Sequence, residues 1–423
     1  MMRARPLSLR ASPLRQLLPA PAVRGGDGSG GTKPTPHRRQ DPEDHDEGQM
    51  WSKGRNLHPK QLNRLITDSE TAYDLFSLAK QYGQSFDFIH ASAALTKAAK
   101  LLEGARMGND TAAGVALLLS LAQARLPQMQ AQALSNTLWA VSKLDVDDPA
   151  FVDALIIEAT PKLPDFEAQN LANTAYSLAK LGREDKAFMR ALLDKASTKL
   201  SSFKEQELVL WAIAKMGYRS KFFVSLLLME AEPRLPGFNA QAMSNSAWAL
   251  ATLGYSDTAF MGALLAAAGP KLPSFTAQDL SNTAWALATL GYSDTAFMGA
   301  LLLAAKPKLP AFQPQALAIT AWALATLGHK DVAFMGALLV AAELKLLSFD
   351  AQNLTNMSWA LATLDFYDAA FMGALLVVIK PKLPSFTLSN VIQMSFTLTK
   401  FKIKDEEFKR ALEAHNAQLD GGK

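Results

Sequence analysis

The sequence contains no cysteine. This absence excludes a disulfide framework, a thiolate nucleophile, and zinc or iron–sulfur sites built on cysteine. The six histidines are scattered, and none stands at metal-ligand spacing from another. No hydrophobic run approaches the roughly 20 residues that a membrane-spanning helix needs, so we expect no membrane span.

Enzyme motifs are also missing. No pair of carboxylates recurs at helical spacing on one face, no Ser–His–Asp set is visible, and no glycine-rich phosphate loop is present. We therefore expect a chain that is not an enzyme, with no catalytic residues, no metal site and no cofactor.

Charge is low and unevenly distributed. The net charge is +4, but residues 1–39 alone carry +7, which leaves −3 on residues 40–423. The basic isoelectric point therefore belongs to the N-terminal segment. Binding to nucleic acid cannot be inferred from bulk charge and would need locally organised cations.

The N-terminal segment has the composition of a targeting sequence. Residues 1–39 are rich in arginine, contain a single acidic residue and lack the continuous apolar core of a secretory signal. This pattern predicts a transit peptide, with a mitochondrion favoured over a chloroplast. The alternative is a disordered basic tail without a targeting role. Residues 40–56 are predicted to be a disordered linker.

A 37-residue repeat occupies most of the remaining chain. One position is marked by Phe166, Phe203, Phe238, Phe275, Phe312, Phe349 and Phe386. A large ring follows at Trp139, Tyr176, Trp211, Trp248, Trp285, Trp322, Trp359 and Phe396. The period defines eight units over residues 125–400, and a fixed period of this length indicates a repeat architecture.

Each unit is predicted to form two helices. Thr276 and Asp279 have the spacing of a capping box, and Gly291 suits the left-handed residue after a helix end. Helix A is expected at about 276–290 and helix B at about 294–305. Helix B is apolar almost all round, so we expect neighbouring units to enclose it.

The sequence therefore predicts an all-α fold, a right-handed αα-superhelix, or solenoid, of about eight helix-turn-helix repeats. Residues 57–124 look helical but do not fit the period, and they are predicted to be an N-terminal helical cap with two amphipathic segments before residue 102 and a third after it. Residues 401–423 are predicted to form a polar C-terminal helix and tail.

The repeat resembles a known family. Its motif, F-x-A-Q-x-L-[SA]-N-T-[AL]-[WY]-[AS]-[LV]-[AS]-[KT]-L, occurs at residues 166–181 and 275–290. It is similar to the octotricopeptide repeats of algal and protist organelle proteins. The resemblance implies single-stranded RNA binding, with roles in organellar transcript stability, processing, translation or ribosome structure. Many members end in a nuclease-like domain called RAP, which we do not expect here.

A cation precedes helix A in every unit. The eight positions are Arg125, Lys162, Lys199, Arg234, Lys271, Lys308, Lys345 and Lys382. Aligned along a solenoid, they would form a basic stripe suited to an RNA backbone. The alternative is a cation favoured near the C-terminus of helix B by the helix dipole. Both interpretations stay open.

Four further sets of positions are candidates for facing RNA bases. Asparagine recurs in the middle of helix A, at Asn136, Asn173, Asn245, Asn282 and Asn356. It would line a concave surface or bond between adjacent A helices, and its near-constancy favours the structural role. The large ring of helix A would likewise stack on bases or pack between repeats, and packing is favoured. Two positions that vary between units are candidates for base selection: Asn170, Asp279 and Asn353 after the glutamine, and Lys143, Lys180 and Lys215 after the ring.

Two functions fit these observations. The first is a non-catalytic adaptor that binds single-stranded RNA, either organellar mRNA or ribosomal RNA, with a possible organellar ribosome or other protein partner and no DNA. The second is a protein-interaction scaffold of the armadillo or tetratricopeptide type, which the slightly acidic body keeps open.

Overall fold

The computed structural model describes residues 57–105, 108–183, 185–203 and 206–421. Within these residues the chain forms twenty α-helices and no β-strand. The predicted transit peptide and linker, residues 1–56, lie outside the described residues. The all-α solenoid of paired helices predicted from the 37-residue period is confirmed.

The described chain divides into two compact units, one ending at Ala196 and the other beginning at Ser197. The helices of the N-terminal unit are α1 Pro59–Asp68, α2 Ala72–Tyr82, α3 Phe88–Leu101, α4 Asn109–Gln123, α5 Ala131–Lys143, α6 Pro149–Ala159, α7 Ala168–Lys180 and α8 Lys186–Ser197. Those of the C-terminal unit are α9 Gln206–Lys215, α10 Lys221–Ala231, α11 Ala240–Leu253, α12 Thr258–Ala268, α13 Ala277–Leu290, α14 Thr295–Ala305, α15 Pro314–Leu327, α16 Val332–Glu343, α17 Ala351–Leu364, α18 Ala369–Ile379, α19 Leu388–Lys400 and α20 Glu406–Gly421.

The A helices of each unit form a tightly packed row. In the C-terminal unit α9 contacts α11, which contacts α13, and the row continues through α15 and α17 to α19. In the N-terminal unit α3, α5 and α7 pack in the same way. Contacts between successive B helices are much sparser, because each B helix lies instead against the short 3-10 turns that connect the repeats.

The ends of the helices follow the sequence signals. Thr276 and Asp279 make the reciprocal hydrogen bonds of a capping box. Gly291 ends helix α13 in the left-handed conformation, with φ of 65°. An aspartate then caps the next helix, since Asp294 Oδ1 accepts a hydrogen bond from the backbone N–H of Phe297 at 2.9 Å. The predicted helix pair is thus confirmed to within a residue at each start.

One face of each B helix is open, which corrects the expectation that neighbouring units enclose it. In α14, Phe297, Leu301 and Leu302 are buried in the core, but Leu303 is 76% exposed. Because helix B is apolar on all sides, its sequence does not reveal which side the neighbours cover. The A-helix row and the connections cover only one side.

The segment predicted as a cap contains four helices, three of them before residue 102, where the sequence indicated two. Helix α3 packs on α5 as an A helix packs on the next one, and Asp87 caps its start. Phe86, just before this cap, is buried like Phe275 before Thr276. The segment therefore continues the helix-pair pattern without keeping the 37-residue period.

Lys402 offers a test of the helix ends. It follows α19 with φ of 53°, where five of the other seven repeats have glycine and two have aspartate. We expect Lys402→Gly to stabilise the end of the array by about 1 kcal/mol, because a side chain is disfavoured in the left-handed region. Slower hydrogen exchange of the α19 and α20 amides would report it.

The control is Lys404→Gly, which removes the same charge two residues away, where φ is not positive. It is expected to leave the exchange rates unchanged or to increase them. Equal protection in both variants would contradict the strain assigned to Lys402.

Candidate nucleic-acid interface

The cations that precede helix A contact the backbone of the preceding repeat. Lys308 Nζ donates hydrogen bonds to the carbonyl oxygens of Pro273 at 2.7 Å and Phe275 at 2.5 Å. Both carbonyls belong to the connection one repeat earlier, 35 and 33 residues back along the chain. We call such a contact a repeat clip: one cation bound to two carbonyls of the previous connection.

Repeat clips recur in both units. Lys271, Lys345 and Lys382 each bond the carbonyls 35 and 33 residues earlier, at 2.5 to 2.8 Å. Lys162 bonds the carbonyls of Pro127 and Met129 in the N-terminal unit.

The two arginines of the series make equivalent contacts. Arg234 donates to the carbonyls of Ser201 and Phe203, and Arg125 donates to the carbonyl of Phe86 at 2.9 Å. Lys199, at the same position, is half-buried like the others.

The repeat clips give the cations a role that neither the RNA-backbone interpretation nor the helix-dipole interpretation included. Two of the three N–H donors of each lysine are used on carbonyls, so the cation joins consecutive repeats rather than only neutralising a helix end. The side chains point in the same direction from repeat to repeat within each unit, as a basic stripe requires. Contact with an RNA backbone stays a prediction.

A histidine stands at the end of this series and contacts one carbonyl where a repeat clip contacts two. His415 Nε2 on α20 lies 3.0 Å from the carbonyl oxygen of Phe386, the position that lysine occupies in the inner repeats. The sequence analysis missed this residue because it stands 29 residues after its partner instead of 33, and because a lone histidine has no local signature. The C-terminal helix therefore closes the row.

The variable position after the glutamine serves the helix start. Asp279 and Asn353 are buried, and Asp279 closes the capping box with Thr276. Asn170 Oδ1 accepts a hydrogen bond from the backbone N–H of Glu167. The side chains of Asn170 and Asp279 therefore bond at the helix start. Contact of the three residues with RNA bases stays a prediction.

The asparagines in the middle of the A helices are largely covered by the chain. Asn173, Asn282 and Asn356 are buried, and Asn136 and Asn245 are half-buried. Asn356 Oδ1 accepts a hydrogen bond from Gln352 Nε2 at 2.7 Å. This bond lies within helix α17, so bonding between adjacent A helices stays a prediction.

The rings of neighbouring repeats pack on one another. The rings of Trp211, Trp248 and Trp285 follow each other with centroids 6.5 Å apart, tilted by 34° and 32°. Trp248 and Trp285 are buried. These three rings therefore pack between repeats, whereas Trp322 and Trp359 are half-buried and Phe396 is 45% exposed.

Several polar atoms along this row have no hydrogen-bond partner among the described residues. Helix α11 contributes Asn245 Nδ2, Trp248 Nε1 and Thr252 Oγ1, which lie on one side of the helix at i, i+3 and i+7. Trp139 Nε1 and Asn173 Oδ1 in the N-terminal unit share this property. Buried polar atoms are nearly always bonded to protein or ordered water, and because the chain covers these atoms they do not by themselves mark a ligand site.

The lysines after the ring form a charged group in the N-terminal unit. Lys143 Nζ pairs with Glu103 at 3.0 Å and lies 5.9 Å from the centre of the Trp139 ring. Burial, and then the neighbouring charge of Lys143, lower the pKa of Lys180. Both influences disfavour an additional positive charge there, so a bound anion would relieve them. Lys215, in the C-terminal unit, is half-buried.

Other ligand classes find little support in the part of the chain that the structure describes. No group of three or more histidine, aspartate or glutamate side chains is placed to hold a metal ion there. None of the helices described above has the length and apolar character to cross a bilayer.

Two family models match separate parts of the chain. Residues 256–416 match the N-terminal domain of the Tbc2 translation factor, and residues 115–258 match the RNA-editing substrate-binding complex 6 protein. Together these matches indicate an RNA-related helical-repeat protein and point to RNA binding or a translation-related role. The octotricopeptide assignment stays a resemblance.

Other comparisons add little. No curated protein matches the sequence. A homology model of the full-length AP-3 complex in an intermediate open conformation is 10% identical, and the match covers 85% of this chain and 70% of that one. Its TM-score of 0.28 carries no functional inference.

The repeat clips can be tested with Lys308→Met. We expect this change to lower the free energy of unfolding by about 1–2 kcal/mol, because it leaves the carbonyls of Pro273 and Phe275 without their charged donor. Thermal or urea unfolding of the full chain measures the effect. Lys308→Arg is expected to retain most of the stability, because Arg234 makes the same contact.

Lys306→Met is the matched control. Lys306 caps the C-terminus of α14, is exposed and makes no hydrogen bond to a carbonyl of the preceding connection. If the lysines acted only through the helix dipole, both changes would lower the free energy of unfolding by a similar amount, roughly 0.3–1 kcal/mol. Equal losses in the two variants would therefore remove the repeat clip as an explanation for the cation series.

Proposed function

We propose that this chain binds single-stranded RNA in an organelle, without catalysis of its own, and so supports transcript stability, processing, translation or the organisation of ribosomal RNA. The observation that carries the proposal is the pair of family matches. They extend over residues 115–416, which is nearly the whole repeat array, and both families are RNA-related.

The A-helix row supports this proposal physically. The polar side chains of this row include the exposed residues Thr289, Thr326 and Thr363. They also include the α11 side chains whose polar atoms have no hydrogen-bond partner among the described residues. Amide, hydroxyl and indole N–H groups are the donors and acceptors that bind the edges of unpaired bases. Unpaired bases would contact the exposed threonines at the edge of this row, because the partnerless atoms are buried between packed helices.

The N-terminal unit supplies the backbone contact in this proposal. Lys143 and Lys180 occupy the same position in consecutive A helices, and their charges are close enough to influence each other. A phosphate beside them would compensate this repulsion and compete with Glu103 for Lys143. The lysines in the repeat clips have only one N–H donor left for the same purpose.

The absence of catalysis and the organellar location rest on the sequence alone. The first follows from the lack of recognisable catalytic motifs, and the second from the arginine-rich composition of residues 1–39. Fluorescence microscopy of the full chain carrying a C-terminal tag tests the location. A diffuse cytosolic signal would contradict it.

The double change Lys143→Gln with Lys180→Gln tests the binding site. If both lysines contact phosphates, the log–log salt slope of binding to a single-stranded RNA becomes shallower by about 1.4, and the association constant near 0.1 M salt falls roughly 25-fold. Fluorescence anisotropy with a labelled RNA of random sequence, at several salt concentrations, measures both quantities. Double-stranded RNA and single-stranded DNA serve as competitors.

The matched control is Lys60→Gln with Lys80→Gln, which removes two exposed charges from α1 and α2 of the same unit. It is expected to leave the slope unchanged. Equal effects of the two double variants would show that binding is non-specific attraction to charge. Failure of the wild-type chain to bind RNA at low salt would overturn the proposal and favour the protein scaffold.

A further inference from the structure

The B helices of the last repeats carry a continuous uncharged surface. Residues 258–268, 295–305, 332–342 and 369–379 contain no charged side chain. Their open face includes Leu303, Val340 and Val377, which occupy the same position in successive repeats and are 65–76% exposed. We call this surface the B-face. Large apolar side chains exposed in a regular row are unusual for a surface that meets only water.

Glycine recurs within this face. Gly299, Gly336 and Gly373 lie inside α14, α16 and α18, where glycine is less favourable than alanine. A Cβ atom added at any of the three would meet nothing within 4 Å, so packing inside the chain does not require them. Three glycines beside exposed apolar side chains leave room for another surface to approach closely.

The N-terminal unit shows that the repeat does not need such a face. Its helix α6 carries Asp153 and Glu158, and α8 carries Lys186 and Arg190. Ile157 on α6 is also exposed, but charged side chains surround it on the same helix. The uncharged surface is therefore a property of the last four B helices and not of the repeat as such.

Opposite charges border the two edges of the B-face. The start of each helix carries an aspartate cap, at Asp257, Asp294, Asp331 and Asp368. The connection at the other end carries a lysine in every repeat, at Lys271, Lys308, Lys345 and Lys382, and two of the connections add an exposed second lysine, Lys306 and Lys380. One repeat departs from this pattern, since Lys330 precedes its aspartate and Glu343 lies near its lysine.

We propose that the B-face binds the B-face of a second copy of this chain, with the helices of the two copies antiparallel. In that orientation the aspartate edge of each copy meets the lysine edge of the other, and the uncharged surfaces meet between them. The surface is self-complementary, as an interface with two-fold symmetry requires.

The available area suits a stable dimer. Four helices of about 11 residues are each about 16 Å long, and neighbouring packed helices are about 10 Å apart. The face then measures roughly 650 Å² per copy, or about 1,300 Å² for both copies, which falls in the range of specific interfaces. This inference is independent of RNA binding, because the B-face does not include the A-helix row.

Sedimentation velocity of the nuclease-treated full chain, over a series of concentrations, tests the proposal. The wild-type protein is expected to dimerise, and Val340→Glu is expected to weaken the dimer at least about tenfold, because the change places a carboxylate in the apolar contact. Ile157→Glu is the matched control: it has the same repeat position and similar exposure, on a helix that is already charged. It should dimerise like the wild type.

Gly336→Gln gives a second readout without a change of charge. It adds volume where the chain itself has open space, so the variant is expected to fold and to dimerise less, with circular dichroism as the check on folding. A wild-type chain that stays monomeric up to its solubility limit would overturn the proposal. So would a dimer that Val340→Glu and Gly336→Gln leave intact.

Discussion

The repeat clip is the interaction on which the register of the array depends. Hydrophobic burial between A helices holds neighbouring repeats together, but it tolerates small shifts because it has no direction. A lysine ammonium bound to two carbonyls has direction. Each connection offers the carbonyls of its two residues to the next cation, as Pro273 and Phe275 do for Lys308. Because the contact recurs along both compact units, equivalent side chains in consecutive repeats of a unit keep the same relative position.

The two rows of helices divide the chemistry of the repeat. The A helices bring glutamine, asparagine, tryptophan and threonine into a tight row, where some polar atoms lack partners within the described chain. The B helices bury Phe297 and Leu301 and leave Leu303 open. One repeat thus offers a polar surface suited to RNA bases and an apolar surface suited to protein. An RNA adaptor and a protein scaffold are therefore compatible proposals, since different helices would serve each.

The sequence predicted the local features of the repeat and missed the ones that connect repeats. The capping roles of Thr276, Asp279 and Gly291 could be predicted, because capping depends on residues within one helical turn. The role of Lys308 was not readable, because its partners are backbone carbonyls more than thirty residues away and carbonyls have no sequence signature. His415 was missed for the same reason. The exposure of Leu303 was not readable either, because an apolar helix gives no indication of which face is covered. Asp279 was a candidate for base selection because it varies between copies, and its bond to Thr276 could not be separated from that role by variation alone.

The clip also bears on how such an array grows. Each repeat supplies a cation that binds the preceding repeat and two carbonyls that bind the cation of the following repeat. A duplicated repeat therefore contains both partners needed for repeat clips with its neighbours. Residues 245–265 and 282–302 differ at a single position, Ser246 against Thr283. Insertion of a whole unit at that point would leave no unmatched junction on either side. Unequal recombination can therefore change the number of repeats without a compensating substitution. Loss of part of a repeat would instead remove one partner of a repeat clip.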